Sequence, residues 1–252
     1  MTAEFKDHFS DRAANYAIYR PQYPPAVVHY LSSIAPTRRV AWDVGCGSGQ
    51  MSRMLGDVFD HVVATDASLG QLARAVAHPR LRYVAATAER APLRGATIDL
   101  IVAAQAAHWF DLPRFYAEAR RVAKPNTAIA LLTYGITVAE EPVKPIVDHF
   151  YDTVLADWWP RERRHTENGY RDFEFPFQEI APPSIEMAVT WTLDQFLGYV
   201  GTWSAVRAME KGMGTANSER FRRDVTKAWG DKPTRRVWWP LGMRVGRLHP
   251  LL

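Results

Sequence analysis

Short apolar runs and amphipathic stretches alternate along the first 135 positions of the chain. The runs at 39–44, 61–65, 81–86, 98–104 and 127–132 are rich in Val, Ile, Leu and Ala, as expected of strands buried on both faces. Between them Met51, Met54, Leu55 and Val58, and then Leu69, Leu72, Ala73 and Val76, recur at helical spacing, and residues 112–123 make a further amphipathic helix. Pro79 closes the second of these helices and Pro125-Asn126 the third. Alternating strands and helices predict a parallel sheet with right-handed crossovers and helices on both faces.

The rhythm changes after residue 135. Pro142, Pro145, Pro160, Pro176 and Pro182 fall among helical and aromatic stretches, which predicts an insertion or lid over 140–182. Residues 185–191 alternate weakly, as a strand would. One helix is predicted from Leu193 to about Met209 and another from Ser218 to Trp229, and residues 237–239 and 243–245 are read as a last edge strand. Only Trp42 and Trp109 of the nine tryptophans precede residue 136. The second part is therefore either the wall of an apolar ligand site or a packed cap, with Trp191 and Trp203 read as core.

Composition narrows the function classes. A chain of 252 residues that is 47% hydrophobic can bury a sizeable core, so disorder does not dominate. The net charge of +4 and pI near 9.2 raise the question of a nucleic-acid partner. The excess is local, however. From Arg220 onward nine Lys or Arg face only Asp224 and Asp231, which reads as a solvated basic face, an anionic-substrate site or an RNA surface. Cys46 is the sole cysteine, which excludes an intramolecular disulfide and a CxxC metal site; no metal is expected. Glu4, Lys6, Asp7 and His8 do not make a signal peptide, and no apolar run approaches the ~18 residues of a membrane span, so a cytoplasmic protein is expected.

The chemistry concentrates at Asp43-Val-Gly-Cys-Gly-Ser-Gly-Gln50, between a strand and a helix. Glycines let the backbone turn and approach a ligand, and the helix behind offers N–H groups to an anion. The methionyl carboxylate of S-adenosylmethionine or a dinucleotide phosphate would satisfy that device. The spacing is G-x-G-x-G, with Gln50 where a dinucleotide loop places its third glycine. Asp43 suits a ligand ammonium and would repel a pyrophosphate. Asp66, seventeen residues after Gly49, ends a strand where an acid binds ribose hydroxyls in either class.

Together with Thr65-Asp66-Ala67-Ser68, the stretch from Ala86 to Leu93 and Ile98-Asp-Leu-Ile-Val102, this loop resembles the successive motifs of class I S-adenosylmethionine-dependent methyltransferases, in the ubiquinone-biosynthesis-like type 11 group. Residues 16–24, 191–196 and 202–205 are similar to the trans-aconitate methyltransferase-like subgroup. The resemblance implies an α/β fold: a Rossmann-like, seven-stranded, mostly parallel sheet with helices on both faces, an N-terminal helical lid and an inserted helical and aromatic cap. It divides the chain into lid helices at 1–35, a cofactor-binding core at 36–135, a cap at 136–183 and a C-terminal part completing the sheet at 184–252. It places Gly45, Cys46, Gly47 and Gly49 under the methionyl moiety, Asp43 near its ammonium, Asp66 on the ribose, Ala67 beside the adenine and the Ala88 backbone at the adenine edge. Many relatives carry an acid where this chain has Thr87, so either Thr87 or Glu89 takes the adenine amino group. Gln105 faces the methionyl end. S-adenosyl-L-homocysteine would be the product.

An acceptor would sit beyond the carboxyl ends of the strands, near Gln105, His108, Trp109 and Tyr134, with Tyr16, Tyr19, Arg20 and Tyr23 folding over it. His108 is either a general base or a structural histidine at a strand end. Arg20 either pairs with a substrate or cofactor carboxylate or makes a surface salt bridge. The resulting expectation is O-methylation of a small molecule at a carboxylate or hydroxyl. A nucleic-acid base is disfavoured because Gln105-Ala-Ala-His108 stands where an Asn-Pro-Pro-Tyr motif would. An NAD(P)-dependent oxidoreductase and a catalytically idle S-adenosylmethionine-binding regulatory module are the alternatives.

Overall fold

The structure, a computed structural model, describes residue 19 and residues 21–248; Tyr16 and Arg20 lie outside the described residues. α1 (Pro25–Ile34) starts on a proline, whose fixed φ suits a first helical turn, and buries Val27, Val28 and Leu31. There follow β1 (Val40–Val44), α2 (Gln50–Gly56), β2 (His61–Asp66), α3 (Leu69–Leu72), β3 (Leu81–Ala85), β4 (Ile98–Ala104), a 3-10 turn at Ala107–Trp109, α4 (Leu112–Val122) and β5 (Ala123–Tyr134). The second part holds β6 (Val138–Ala139), α5 (Lys144–His149) running into a π turn at Phe150–Val154, a 3-10 turn at Ala156–Trp158, α6 (Arg163–Glu167) and β7 (Gln178–Glu179). It ends with β8 (Met187–Trp191), α7 (Leu193–Gly201), α8 (Ser204–Met213), α9 (Ala216–Trp229), β9 (Arg235–Trp239) and β10 (Leu241–Arg247).

The main sheet has seven strands in the order β3-β2-β1-β4-β5-β10-β7. The first five are parallel, and β10 and β7 join antiparallel. Alternate side chains leave the sheet on opposite faces. Ala41, Leu100, Val102, Ala130 and Leu132 enter one core with α1 and α2, whereas Trp42, Ile101, Ala103, Ile129 and Leu131 enter the other with Phe115, Ala119 and Val122 of α4. The strand order reverses between β1 and β4, which opens a crevice at their carboxyl ends.

Several elements differ from the sequence expectation. α3 stops at Leu72, since Leu69 and Val76 are exposed and give a longer helix nothing to bury. The single helix expected over 193–209 is two, because Trp203 adopts an extended backbone between α7 and α8 and thereby buries its indole against Tyr151, Trp159 and Tyr199. The residues read as one edge strand belong to two sheets. β9 lies at the centre of an antiparallel sheet of order β6-β9-β8, and β10 sits inside the main sheet between β5 and β7. Pro125 and Asn126 fall within β5, at a register shift against β4, with Asn126 at φ 63°.

Part of the basic tail is structural, while Arg220, Arg222, Arg223 and Lys227 are exposed on α9. Arg235 is buried and donates to the carbonyls of Glu141, Ala228 and Trp229 at 2.9, 3.3 and 2.9 Å. Arg236 pairs with Glu186, Arg244 pairs with Glu179 and donates to the Tyr170 and Phe173 carbonyls, and Arg247 donates to Asn126 O. No helix among the described residues is long and apolar enough to cross a membrane.

Trp239 ties the two sheets together: its ring meets Tyr134 at 6.3 Å, and its Nε1–H donates to Thr137 Oγ1 and Tyr199 Oη. Trp239→Ala is expected to destabilise the fold by about 3–5 kcal/mol in urea denaturation. Met213→Ala, at an exposed helix end, should change stability by no more than about 0.5 kcal/mol.

Candidate active site

Gly45, Gly47 and Gly49 all adopt positive φ, at 66°, 56° and 87°, a region that disfavours any side chain. Their surroundings differ. A Cβ on Gly45 would strike Ala106 Cβ at 2.6 Å, and one on Gly49 would collide with the Tyr83 ring. A Cβ on Gly47 would meet nothing nearer than Gln71 Oε1 at 4.0 Å. Two glycines are thus required by the chain's own packing, and Gly47 is the one with open space where a Cβ would stand. The loop is held from within: the N–H groups of Cys46 and Gly49 donate to Thr65 O at 3.0 Å and Cys46 O at 2.9 Å. The Gly47 N–H donates to Asp66 Oδ2 at 2.8 Å.

Two carboxylates flank this loop. Asp66 Oδ1 also accepts from the Ser68 N–H at 2.8 Å, so each oxygen of Asp66 holds one backbone donor and keeps acceptor capacity on the crevice side. Asp43 is 1% exposed; its Oδ2 accepts from Ser52 Oγ at 2.5 Å, and its buried Oδ1 has no partner. Burial lifts its carboxyl to about 7, the Asp66 charge adds to the rise, and the Ser52 hydrogen bond opposes it. An unpaired buried carboxylate oxygen is costly, and a cationic donor would relieve it. The sequence carries no signal for Ser52, which stands beside the equally polar Gln50 and Arg53 on the first turn of α2.

On the far side of Asp66, Ala67 is half-buried and Ala88 is buried. Thr87 is exposed and forms an isolated bridge with Arg90. Glu89 Oε1 accepts from the Asp111 N–H at 2.9 Å, which commits it to the turn preceding α4.

Gln105 ends β4 with φ 54°, unusual for a residue with a side chain. Three hydrogen bonds impose it: Gln105 N–H to Leu132 O at 2.8 Å, Nε2 to Tyr134 O at 3.3 Å and Thr133 Oγ1 to Oε1 at 3.2 Å. Next to it His108 Nδ1 lies 2.8 Å from the Tyr170 hydroxyl. Burial, reinforced by the Arg163 charge, pulls the imidazole down to about 3 and keeps it neutral at neutral pH. Trp109 is 40% exposed, with its ring 4.8 Å from that of His108. Tyr134 is buried and edge-on to Tyr23 at 6.0 Å; the Tyr23 hydroxyl is buried without a partner. Tyr19 instead lies on α7, where a Cβ at Gly198 would meet its ring at 2.6 Å.

From Tyr134 aromatic contacts continue through Trp239, Tyr199 and Trp203 to Trp159, each ring within 6.3 Å of the next. Trp159, Trp203 and Trp239 are therefore packed against other rings. Tyr170 and Arg163, from the segment between β6 and β7, were not singled out from the sequence, because only the tertiary fold brings them near His108. Among the described residues no cluster of His, Cys, Asp and Glu could hold a metal.

A family model for a methyltransferase domain matches residues 42–131, from β1 into β5. The solved structure of a candidate type II methyltransferase from Anaeromyxobacter dehalogenans is 44% identical, with a TM-score of 0.87, and the match covers 92% of this chain and 100% of that one. A candidate methyltransferase of Dictyostelium discoideum is 29% identical over 90% of this chain and 88% of its own length. A malonyl-[acyl-carrier protein] O-methyltransferase of Dechloromonas aromatica is 40% identical over 42% of this chain and 39% of its own length.

The raised Asp43 carboxyl has a measurable consequence without any ligand. Its folded pKa, about 7, exceeds the ordinary value of 3.8, so the protonated form stabilises the fold below about pH 4 and that contribution is lost as pH rises to about 7. Denaturant unfolding across this window should show a component of declining stability approaching about 1.4 kcal/mol per pH unit, absent in Asp43→Asn. An identical pH profile in the variant would contradict the assignment.

Proposed function

We propose that this chain, which belongs to the class I S-adenosylmethionine-dependent methyltransferases, methylates an oxygen of a small molecule, most favourably a carboxylate and otherwise a hydroxyl. The unpaired Asp43 Oδ1, at the strand end that leads into the glycine loop, is the observation that carries the cofactor assignment, because it offers a buried acceptor to an ammonium. S-adenosylmethionine, when bound, supplies a methyl group already activated on a sulfonium. In this reading Asp43 holds the ammonium and the Gly45–Cys46–Gly47–Gly49 loop underlies the methionyl moiety. Asp66 accepts from the ribose hydroxyls with the lone pairs that Gly47 and Ser68 leave free. Ala67 flanks the adenine and the Ala88 backbone meets its edge. Thr87, rather than the engaged Glu89, accepts from the adenine amino group, and Gln105 faces the methionyl end.

The acceptor would lie against His108, Trp109 and Tyr134. Its oxygen bonds to the methyl carbon as the carbon–sulfur bond breaks in line, so positioning and exclusion of water supply most of the acceleration. A neutral His108 with a pKa near 3 is a weak base and a good hydrogen-bonding wall. That favours an acceptor that has already lost its proton, which a carboxylate has done at neutral pH. The malonyl-[acyl-carrier protein] O-methyltransferase relative supports an oxygen acceptor, although the match spans less than half of either chain.

S-adenosylhomocysteine, and not NAD, should raise the melting temperature. Asp66→Ala should remain folded and lose about 1.5–3 kcal/mol of S-adenosylhomocysteine affinity, the scale of hydrogen bonds to a charged group. Protein incubated with methyl-labelled S-adenosylmethionine and a metabolite extract should form products that release volatile labelled methanol in alkali, as methyl esters do. Base-stable label would point to a hydroxyl, nitrogen or carbon acceptor. Binding without any transfer would leave the idle-module alternative.

A further inference from the structure

We infer that Arg163, on α6, is the anchor for the acceptor's carboxylate, an assignment that rests on the methyl-transfer reading above. α6 packs against the Ala107–Trp109 turn and against β5, so it stands by the carboxyl ends of β4 and β5, where an acceptor would lie. The Arg163 side chain is mostly enclosed. Its Nε donates to Tyr151 Oη at 2.9 Å, and its guanidinium carbon lies 5.0 Å from the centre of the Trp159 ring and 5.7 Å from that of Tyr151. Glu167 Oε1 lies 3.7 Å from the same Nε and accepts from the Tyr151 hydroxyl. These contacts engage the Nε edge and the faces of the guanidinium. Among the described residues its two terminal nitrogens have no hydrogen-bond partner.

That leaves a pair of parallel N–H donors, the arrangement that binds one planar carboxylate bidentately. Because stacking and the Tyr151 bond already hold the guanidinium, little rotamer freedom remains to be lost on binding. Glu167 decides between anions. The Arg163–Glu167 pair is near neutral by itself, so a carboxylate monoanion is tolerated, whereas a phosphate dianion would stand uncompensated beside a second carboxylate. The charge of Arg163 also reaches both members of the His108–Tyr170 pair.

The test is calorimetric titration of S-adenosylhomocysteine-saturated protein with aliphatic dicarboxylates from malonate to sebacate and with their diamides. At least one dicarboxylate should bind and its diamide should not. Arg163→Gln should weaken that binding by about tenfold or more, the scale of a charge-assisted bidentate contact. Arg163→Lys, which keeps the charge but not the fork, should fall between, and it serves as the test should the glutamine variant fail to fold. S-adenosylhomocysteine affinity should be unchanged in both variants. Equal binding of diamides, no binding of any dicarboxylate, or unaltered binding in the variants overturns the assignment. If the unmodified protein does not bind S-adenosylhomocysteine, the methyl-transfer reading fails instead.

Discussion

The central strands of the main sheet bury both of their faces, and most of the architecture answers that requirement. β1, β4 and β5 send alternate side chains into two separate cores, so neither face can be left to water. α4 with Tyr170 and Phe175 covers one face; α1, α2 and the rings around Trp203 and Trp239 cover the other. Helices on both sides force the chain to wind outward in two directions from the centre, which creates the reversal between β1 and β4. The crevice with its glycine loop, Asp66 and Gln105 is a by-product of that winding.

The site combines this scaffold with charges that burial has altered. Asp43 is held near neutrality of charge by enclosure, with Ser52 satisfying one oxygen and nothing satisfying the other. His108 is enclosed as well, and burial keeps its imidazole uncharged. Enclosure thus raises the proton affinity of the acid and lowers that of the base. Both properties arise from what surrounds a side chain more than from the side chain itself.

Much of this was legible in the chain wherever the signal is local. Ile98–Ala104 is a strand from the first to the last residue expected, because the β-branched and aliphatic run Leu100–Ala104 has no competing reading, and the buried Asp99 near its start pairs with Lys124. The glycine loop and Asp66 were legible because turn geometry demands glycine and strand ends place the acid. The break at Trp203 was not, since helical periodicity runs through it and only the cluster of Tyr151, Trp159 and Tyr199 rewards leaving the helix. The role of Arg235 was equally hidden: in sequence it is one more positive charge, and in the fold it binds three carbonyls, at Glu141 and at the Ala228–Trp229 end of α9. Arg163 and Tyr170 come near His108 only because α6 and the turn after it pack against the Ala107–Trp109 turn, and no spacing rule spans that distance.

The line of rings from Tyr134 through Trp239, Tyr199 and Trp203 to Trp159 has an optical consequence. At such separations excitation runs downhill from phenols to indoles. Light absorbed by Tyr134 at one end of the line, or by Tyr199 within it, is therefore emitted from the tryptophans beside them, so the protein's own fluorescence is that of its indoles, with its tyrosines acting as antennae.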